Sequence, residues 1–141
     1  MGLKEFSELK DRFAAGTTPD PSDLRGYYAV KLITGILPDI RFFSHRKFFP
    51  PNVEEREGTG GYNEFLGLIR IGNFKIGVID SILGDGQKVL RVNYNREGNP
   101  FWVRPLNDEL KKIRDGYYLG RGIFDIGGHI FNTFYFSIEK M

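Results

Sequence analysis

At 141 residues the chain has room for one domain with its own core and none for two ordinary ones. It contains no cysteine, which excludes disulfides, thiolate nucleophiles and cysteine-bearing zinc or iron–sulfur sites. With 20 basic and 18 acidic residues the net charge is only +2, without the basic excess of a dedicated nucleic-acid binder, so no nucleic-acid partner is expected.

The first residues, Met-Gly-Leu-Lys-Glu-Phe-Ser, carry charge early and lack an apolar signal core, and Phe6 stands where a myristoylation signal needs Ser or Thr. No apolar run is long enough to cross a bilayer, so a soluble, cytoplasmic protein without a transmembrane segment is expected. Leu3, Phe6, Leu9 and Phe13 recur at spacings of three and four among charged residues, which predicts a helix over 3–15 stopped at Gly16. A proline-bearing linker, 16–23, leads into a first strand over 24–34. Its alternation puts Tyr28, Val30 and Leu32 on one side and Tyr27, Ala29 and Lys31 on the other, so Tyr28 is expected to point inward. A second segment, 40–49, mixes Phe with basic residues, and 50–61 is polar and glycine-rich, a candidate mobile loop.

From Glu64 onward short alternating runs are cut by turn residues. Strands are predicted over 64–71, 74–82, 88–95, 101–104, 117–124 and 129–138, with Gly72-Asn73 as a hairpin turn between the first two. The stretch 107–113 fits either a helical turn or more sheet, since seven residues are too few for periodicity to separate them. With the two earlier segments this makes about eight strands. The expected fold is mainly β: one domain, an antiparallel up-and-down barrel over 24–140, with the N-terminal α-helix over one end or along its wall. Thirteen Phe, seven Tyr and one Trp beside 18 Gly suit a curved sheet with rings inside and glycines at its bends.

Leu24-Arg25-Gly26-Tyr27-Tyr28, after a leading helix, resembles the Gly-x-Trp element that opens the first strand of lipocalin-like (calycin) barrels, with Tyr28 in the Trp position. Asp108-Glu109-Leu110, then Asp115 to Gly122, then Phe134-Tyr135-Phe136, is similar to the ends of uncharacterised bacterial lipocalin-like proteins and, more weakly, of plastid lipid-associated (fibrillin) proteins. The resemblance implies an up-and-down barrel that binds a small apolar molecule.

Within such a barrel Tyr28, Leu32, Leu90, Phe134 and Phe136 are expected to line an apolar lumen, and Arg121 with Asn132 or Tyr118 to hold a polar head. On the last strand Ile130, Asn132, Phe134, Phe136 and Ile138 share a face, with Asn132 its one amide; a buried amide either meets a ligand or satisfies a neighbouring group, and the second is the commoner case. Arg121 shares a face with Tyr117, Leu119 and Ile123, while Tyr118, Gly120, Gly122 and Phe124 share the other. If the Leu119 face is inner, a carboxylate ligand is the natural partner of Arg121; otherwise the side chain snorkels to water. Gly120 and Gly122 read as a bend in the strand, not as a phosphate loop. The Leu90, Val92 and Tyr94 face is the more apolar one and puts Arg91 outside.

Arg41 to Phe49 interleaves bases with rings, a pattern that suits single-stranded nucleic acid or an anionic surface, but an amphipathic strand with a charged outer face is the simpler reading. No metal motif occurs around His45 or His129, and Ser44 beside His45 is no triad, because neighbours in a strand point apart. No cofactor is expected; haem on His129 is a remote option. The preferred function is non-catalytic binding of a small apolar or amphipathic ligand such as a fatty acid. The alternative is an occluded barrel that serves as an interaction scaffold through 41–49. A homodimer is compatible with either.

Overall fold

The computed structural model describes residues 3–35, 46–50, 61–65, 69–95 and 99–141. One helix, α1 (Leu3–Ala15), precedes a short 3-10 turn (Pro21–Asp23) and eight strands: β1 (Gly26–Gly35), β2 (Arg46–Phe49), β3 (Gly61–Phe65), β4 (Ile69–Asp80), β5 (Lys88–Asn93), β6 (Leu106–Arg114), β7 (Tyr117–Ile126) and β8 (His129–Lys140). Each strand pairs antiparallel with the next and β8 returns to β1, which closes the sheet into a barrel. The fold is therefore mainly β, a closed eight-stranded antiparallel barrel with a single N-terminal helix.

The local chemistry explains most of the boundaries. Gly127 and Gly128 both take positive φ, at 59° and 86°, and join β7 to β8 in a two-residue turn of the primed kind that suits the twist of a hairpin. Asp20 caps the 3-10 turn by accepting from the Ser22 N–H at 2.9 Å, and Pro21 occupies the first position, where no N–H is needed. The 16–23 linker is stitched down at its start, where the Thr17 N–H donates to the Lys112 carbonyl at 2.9 Å and Lys112 N–H returns to Thr17 O at 2.7 Å.

Two predicted elements differ, and one left open is decided. Gly72-Asn73 is not a hairpin: β4 runs through it, and the register against β3 steps from Gly61 opposite Phe74 to Asn63 opposite Ile71. One residue of β3 thus faces two of β4, a bulge, which glycine within a strand permits as readily as a turn. The strand predicted at 101–104 is a run of turns, with Phe101 84% and Trp102 51% exposed. Residues 107–113, left open between helix and sheet, are the body of β6. Of the second segment only Arg46–Phe49 is described, as β2; residues 40–45 and 51–60, with most of the candidate mobile loop, lie outside the described residues.

Two apolar clusters divide the molecule. The larger lies inside the barrel and contains Leu24, Tyr28, Phe49, Phe74, Leu90, Val92, Tyr94, Leu110, Tyr118, Phe136 and Ile138. The smaller lies outside the barrel, where Phe6, Leu9 and Phe13 of α1 cover Val89, Leu119 and Tyr135. The helix thus packs along the wall.

Candidate functional site

In the lumen, aromatic rings form a continuous chain. Tyr118 meets Tyr28 at 5.9 Å between centroids, Tyr28 meets Phe49 at 5.3 Å, Phe49 meets Phe74 at 5.3 Å, and Phe74 meets Tyr94 at 5.7 Å, mostly edge to face. That chain ends in a polar cluster. Lys47 of β2 lies opposite Tyr28 and Asn63 in register, so it shares their inward face. Its ammonium donates to Asn63 Oδ1 at 2.7 Å and to the Tyr94 hydroxyl, and it stands 3.1 Å from Asp108 Oδ2. The Tyr94 hydroxyl donates to the same Asp108 oxygen at 2.8 Å and accepts from Asn63 Nδ2 at 3.2 Å. All four residues are buried, and the Lys47 ammonium also lies within 6 Å of the rings of Phe74, Tyr94 and Phe136, at 5.6, 5.2 and 5.7 Å.

Burial shapes the electrostatics of this cluster. Loss of hydration pulls the Lys47 ammonium below the ordinary lysine value, and the Asp108 charge and hydrogen bond oppose it. Tyr94 is pushed well above the ordinary phenol value by burial and by the adjacent carboxylate. Tyr118 and Tyr28 are also raised, chiefly by burial. The resulting unit is a lysine–carboxylate pair bridged by a neutral phenol. Its polar atoms stand among side chains that are otherwise hydrocarbon.

Of the residues expected at a site, Tyr28, Leu90, Tyr118, Phe134 and Phe136 do meet in the lumenal cluster, Phe134 as a partly buried member. Leu32, half-buried, stands opposite Phe136 in register. Arg121 and Asn132 do not join them. The Leu119–Arg121 face of β7 is the outer one, covered by α1. Arg121, 1% exposed, donates from Nε to Glu109 at 3.0 Å and from Nη2 to Ser81 Oγ at 2.8 Å, pairs with Asp85 at 3.0 Å, and lies 4.2 Å from the Phe13 ring centroid. It neither snorkels nor enters the lumen. Asn132 is turned outward because Thr133 is an extra residue in β8: Gly122 pairs with Phe134, but Ile123 pairs with Asn132. Past such a bulge the in–out parity reverses. Asn132 Nδ2 reaches the Tyr135 hydroxyl at 3.3 Å, beside the ring that Phe6 and Phe13 touch.

Sequence reasoning did not reach Lys47, Asn63 and Asp108, and placed Tyr94 inside without a role. For Tyr94 the signal was its parity with Leu90 and Val92. Lys47 was assigned to a charged outer face of the 41–49 segment, whereas Lys47 and Phe49 point in and Arg46 and Phe48 point out. Outside, Phe48 stacks on Tyr62 at 5.1 Å and packs on Tyr27 at 4.9 Å, with Arg46 over Tyr27 and paired to Glu64. His45 lies outside the described residues, and His129 is exposed at the β7–β8 turn. Among the described residues no three His, Asp or Glu side chains are grouped as metal ligands, and no helix is long and apolar enough to cross a membrane.

The barrel defines the class of protein only at the level of fold. No family model matches the chain, and no curated protein matches it. A crystal structure of a protein from Thermomonospora curvata is similar over 100% of this chain and 88% of its own, with a TM-score of 0.64 and 10% sequence identity. At that identity the likeness is one of fold alone.

Proposed function

We propose that the barrel is a lipocalin-like (calycin) container that binds, without catalysis, a small apolar or amphipathic molecule of lipid type, whose polar end meets the Lys47–Tyr94–Asp108 cluster. One observation carries this reading: an ion pair buried in an apolar lumen. Such a pair gives little net stability, because desolvation offsets its attraction, and well-packed hydrocarbon at the same positions is often as stable or more so. A polar cluster of this kind suits recognition. Partly buried Val30, Ile76, Leu106 and Phe134 beside the core supply an apolar approach to it. Arg121 and Asn132 have no part in the reading, since both face outward. The absence of cysteine suits a reducing cytoplasm.

Protein purified from its own host should retain a small molecule, seen by native mass spectrometry and recovered by denaturing extraction. A clean apo mass, together with no thermal shift across a panel of long-chain alcohols, acids and esters, would overturn the reading.

A second reading has its own support, because the rings of Phe134 and Phe136 already occupy the space over Gly122 and Gly120. A barrel filled in this way would act as a scaffold through its outer Tyr27–Phe48–Tyr62 surface. A partner that copurifies with the native chain and survives Phe48→Ala would count against it.

A further inference from the structure

The Lys47–Asp108 cluster is saturated on its donor side and unsatisfied on its acceptor side. An ammonium has three N–H bonds, and those of Lys47 are directed at Asn63, Tyr94 and Asp108, leaving none over. Asp108 Oδ2 accepts from Tyr94 and from Lys47. Asp108 Oδ1, on a residue only 2% exposed, is buried and has no hydrogen-bond partner among the described residues. Buried carboxylate oxygens are rarely left so, because the lost hydration is not recovered.

The surroundings say what could reach that oxygen. Across neighbouring strands one row of the sheet runs Ile76, Val92, Asp108, Gly122, Phe134. Asp108 is the polar member of that row, and Gly122 beside it has no side chain to offer. Ile76 and Phe134 in the row, and Leu106 two residues before Asp108, are only partly buried. The vacant acceptor therefore borders the less enclosed, hydrocarbon-lined part of the lumen.

Charge narrows the ligand further. A carboxylate at this point would meet the Asp108 charge, and an ammonium would meet Lys47, 3.1 Å from Asp108, in a medium where like charges repel strongly. Resting on the lumenal reading above, we infer that the ligand is uncharged at its polar end and carries a hydrogen-bond donor, a hydroxyl or amide N–H, which Asp108 Oδ1 accepts. The acid head group of a fatty acid is the wrong chemistry for this lumen.

Calorimetric titration of the whole chain with dodecanol, dodecyl methyl ether and dodecanoate tests this. The ether keeps the alcohol's oxygen and chain but lacks its donor. The alcohol should bind at least about tenfold more tightly than the ether, the loss expected when a buried acceptor goes unanswered. The double variant Lys47→Met/Asp108→Leu removes both charges together, so it avoids a lone buried charge; in it the alcohol and ether should bind alike. Equal binding of alcohol and ether to the native chain, or tighter binding of dodecanoate, would overturn the donor requirement while leaving the lumenal reading standing. Binding of none of the three would overturn both. Persistence of the alcohol's advantage in the double variant would show that the donor is read somewhere other than Asp108.

Discussion

Gly61, Gly120 and Gly122 resolve the unusual load of rings in this chain. Each faces a phenylalanine directly across the ladder: Gly61 opposite Phe74, Gly120 opposite Phe136 and Gly122 opposite Phe134. A methyl group on any of the three would come within 2.2, 2.3 and 2.1 Å of the facing ring. Gly120 and Gly122, read as a bend, and Gly61, read as the end of a loop, thus serve as seats for aromatic side chains, and the ring recovers the cover that the missing side chain gives up. Gly120→Ala should therefore destabilise by about 1–3 kcal/mol through overpacking, seen as a fall in Tm of roughly 2–4 °C per kcal/mol. An unchanged urea midpoint would show that the Phe136 ring moves aside without penalty. At Asp108 the expected contrast lies between single and double change. Asp108→Leu alone strands a buried ammonium and should cost about 3–5 kcal/mol, whereas Lys47→Met/Asp108→Leu should recover most of it. Equal losses in the two variants, measured by urea unfolding, would mean that the pair is not coupled as its geometry indicates.

The helix and strands show why some faces could be read from sequence and others could not. The stripe of Phe6, Leu9 and Phe13 was legible because a surface helix has one apolar side, and that side does cover Val89, Leu119 and Tyr135. Leu90 and Val92 of β5 and Tyr94 just after it were correctly inward, with Arg91 outside, where its Nε donates to Asn107 at 2.8 Å. Strand β7 defeated the same test. Its outer face is covered by α1 and is as apolar as its inner one, so alternation alone could not say which side Arg121 occupied. Bulges account for two further differences, since the extra residue at Thr133 inverts Asn132 and the one near Gly72-Asn73 mimics a turn. At this scale α1 and the Arg121 network should behave as one unit. Phe13→Ala removes both the apolar contact and the ring against the guanidinium, and should cost about 3–5 kcal/mol. Glu109→Ala should be as damaging, because it withdraws a buried carboxylate from Arg121. If amide hydrogen exchange in β6 and β7 stays as slow in Phe13→Ala as in the native chain, the helix is not the cover that its packing implies.

For the whole molecule the buried titratable groups predict how stability depends on pH. Tyr28, Tyr94 and Tyr118 are raised above the ordinary 10.0, so in alkali the unfolded chain releases their protons before the folded one does. Their stabilising contribution is complete below about pH 10 and declines as pH rises above it. Lys47 has the opposite sign. Its folded value is lowered from 10.5, so between that lowered value and 10.5 the unfolded chain holds more protons and stability rises with pH. Urea midpoints should therefore climb gently on the approach to about pH 10 and fall beyond it as the tyrosines titrate, and the climb should shrink in Lys47→Met/Asp108→Leu to the part left by Lys111, which burial also lowers. A midpoint that declines steadily from neutrality, with tyrosinate absorbance appearing in the folded state, would contradict this burial.

Turn chemistry, period-two alternation and the helical stripe are local properties. By themselves they determined a mainly β chain of about eight strands behind one helix, because each is written within a few neighbouring residues. Which side of the closed wall a residue faces is not local. It depends on register, on single-residue bulges and on where α1 comes to rest, and those were decided only when the sheet closed on itself. That closure moved Arg121 out beneath the helix, turned Asn132 away from the lumen, and brought Lys47, Asn63, Tyr94 and Asp108 together from four separate segments. No spacing in the sequence could announce that meeting, because in a barrel long-range pairing alone makes distant residues neighbours.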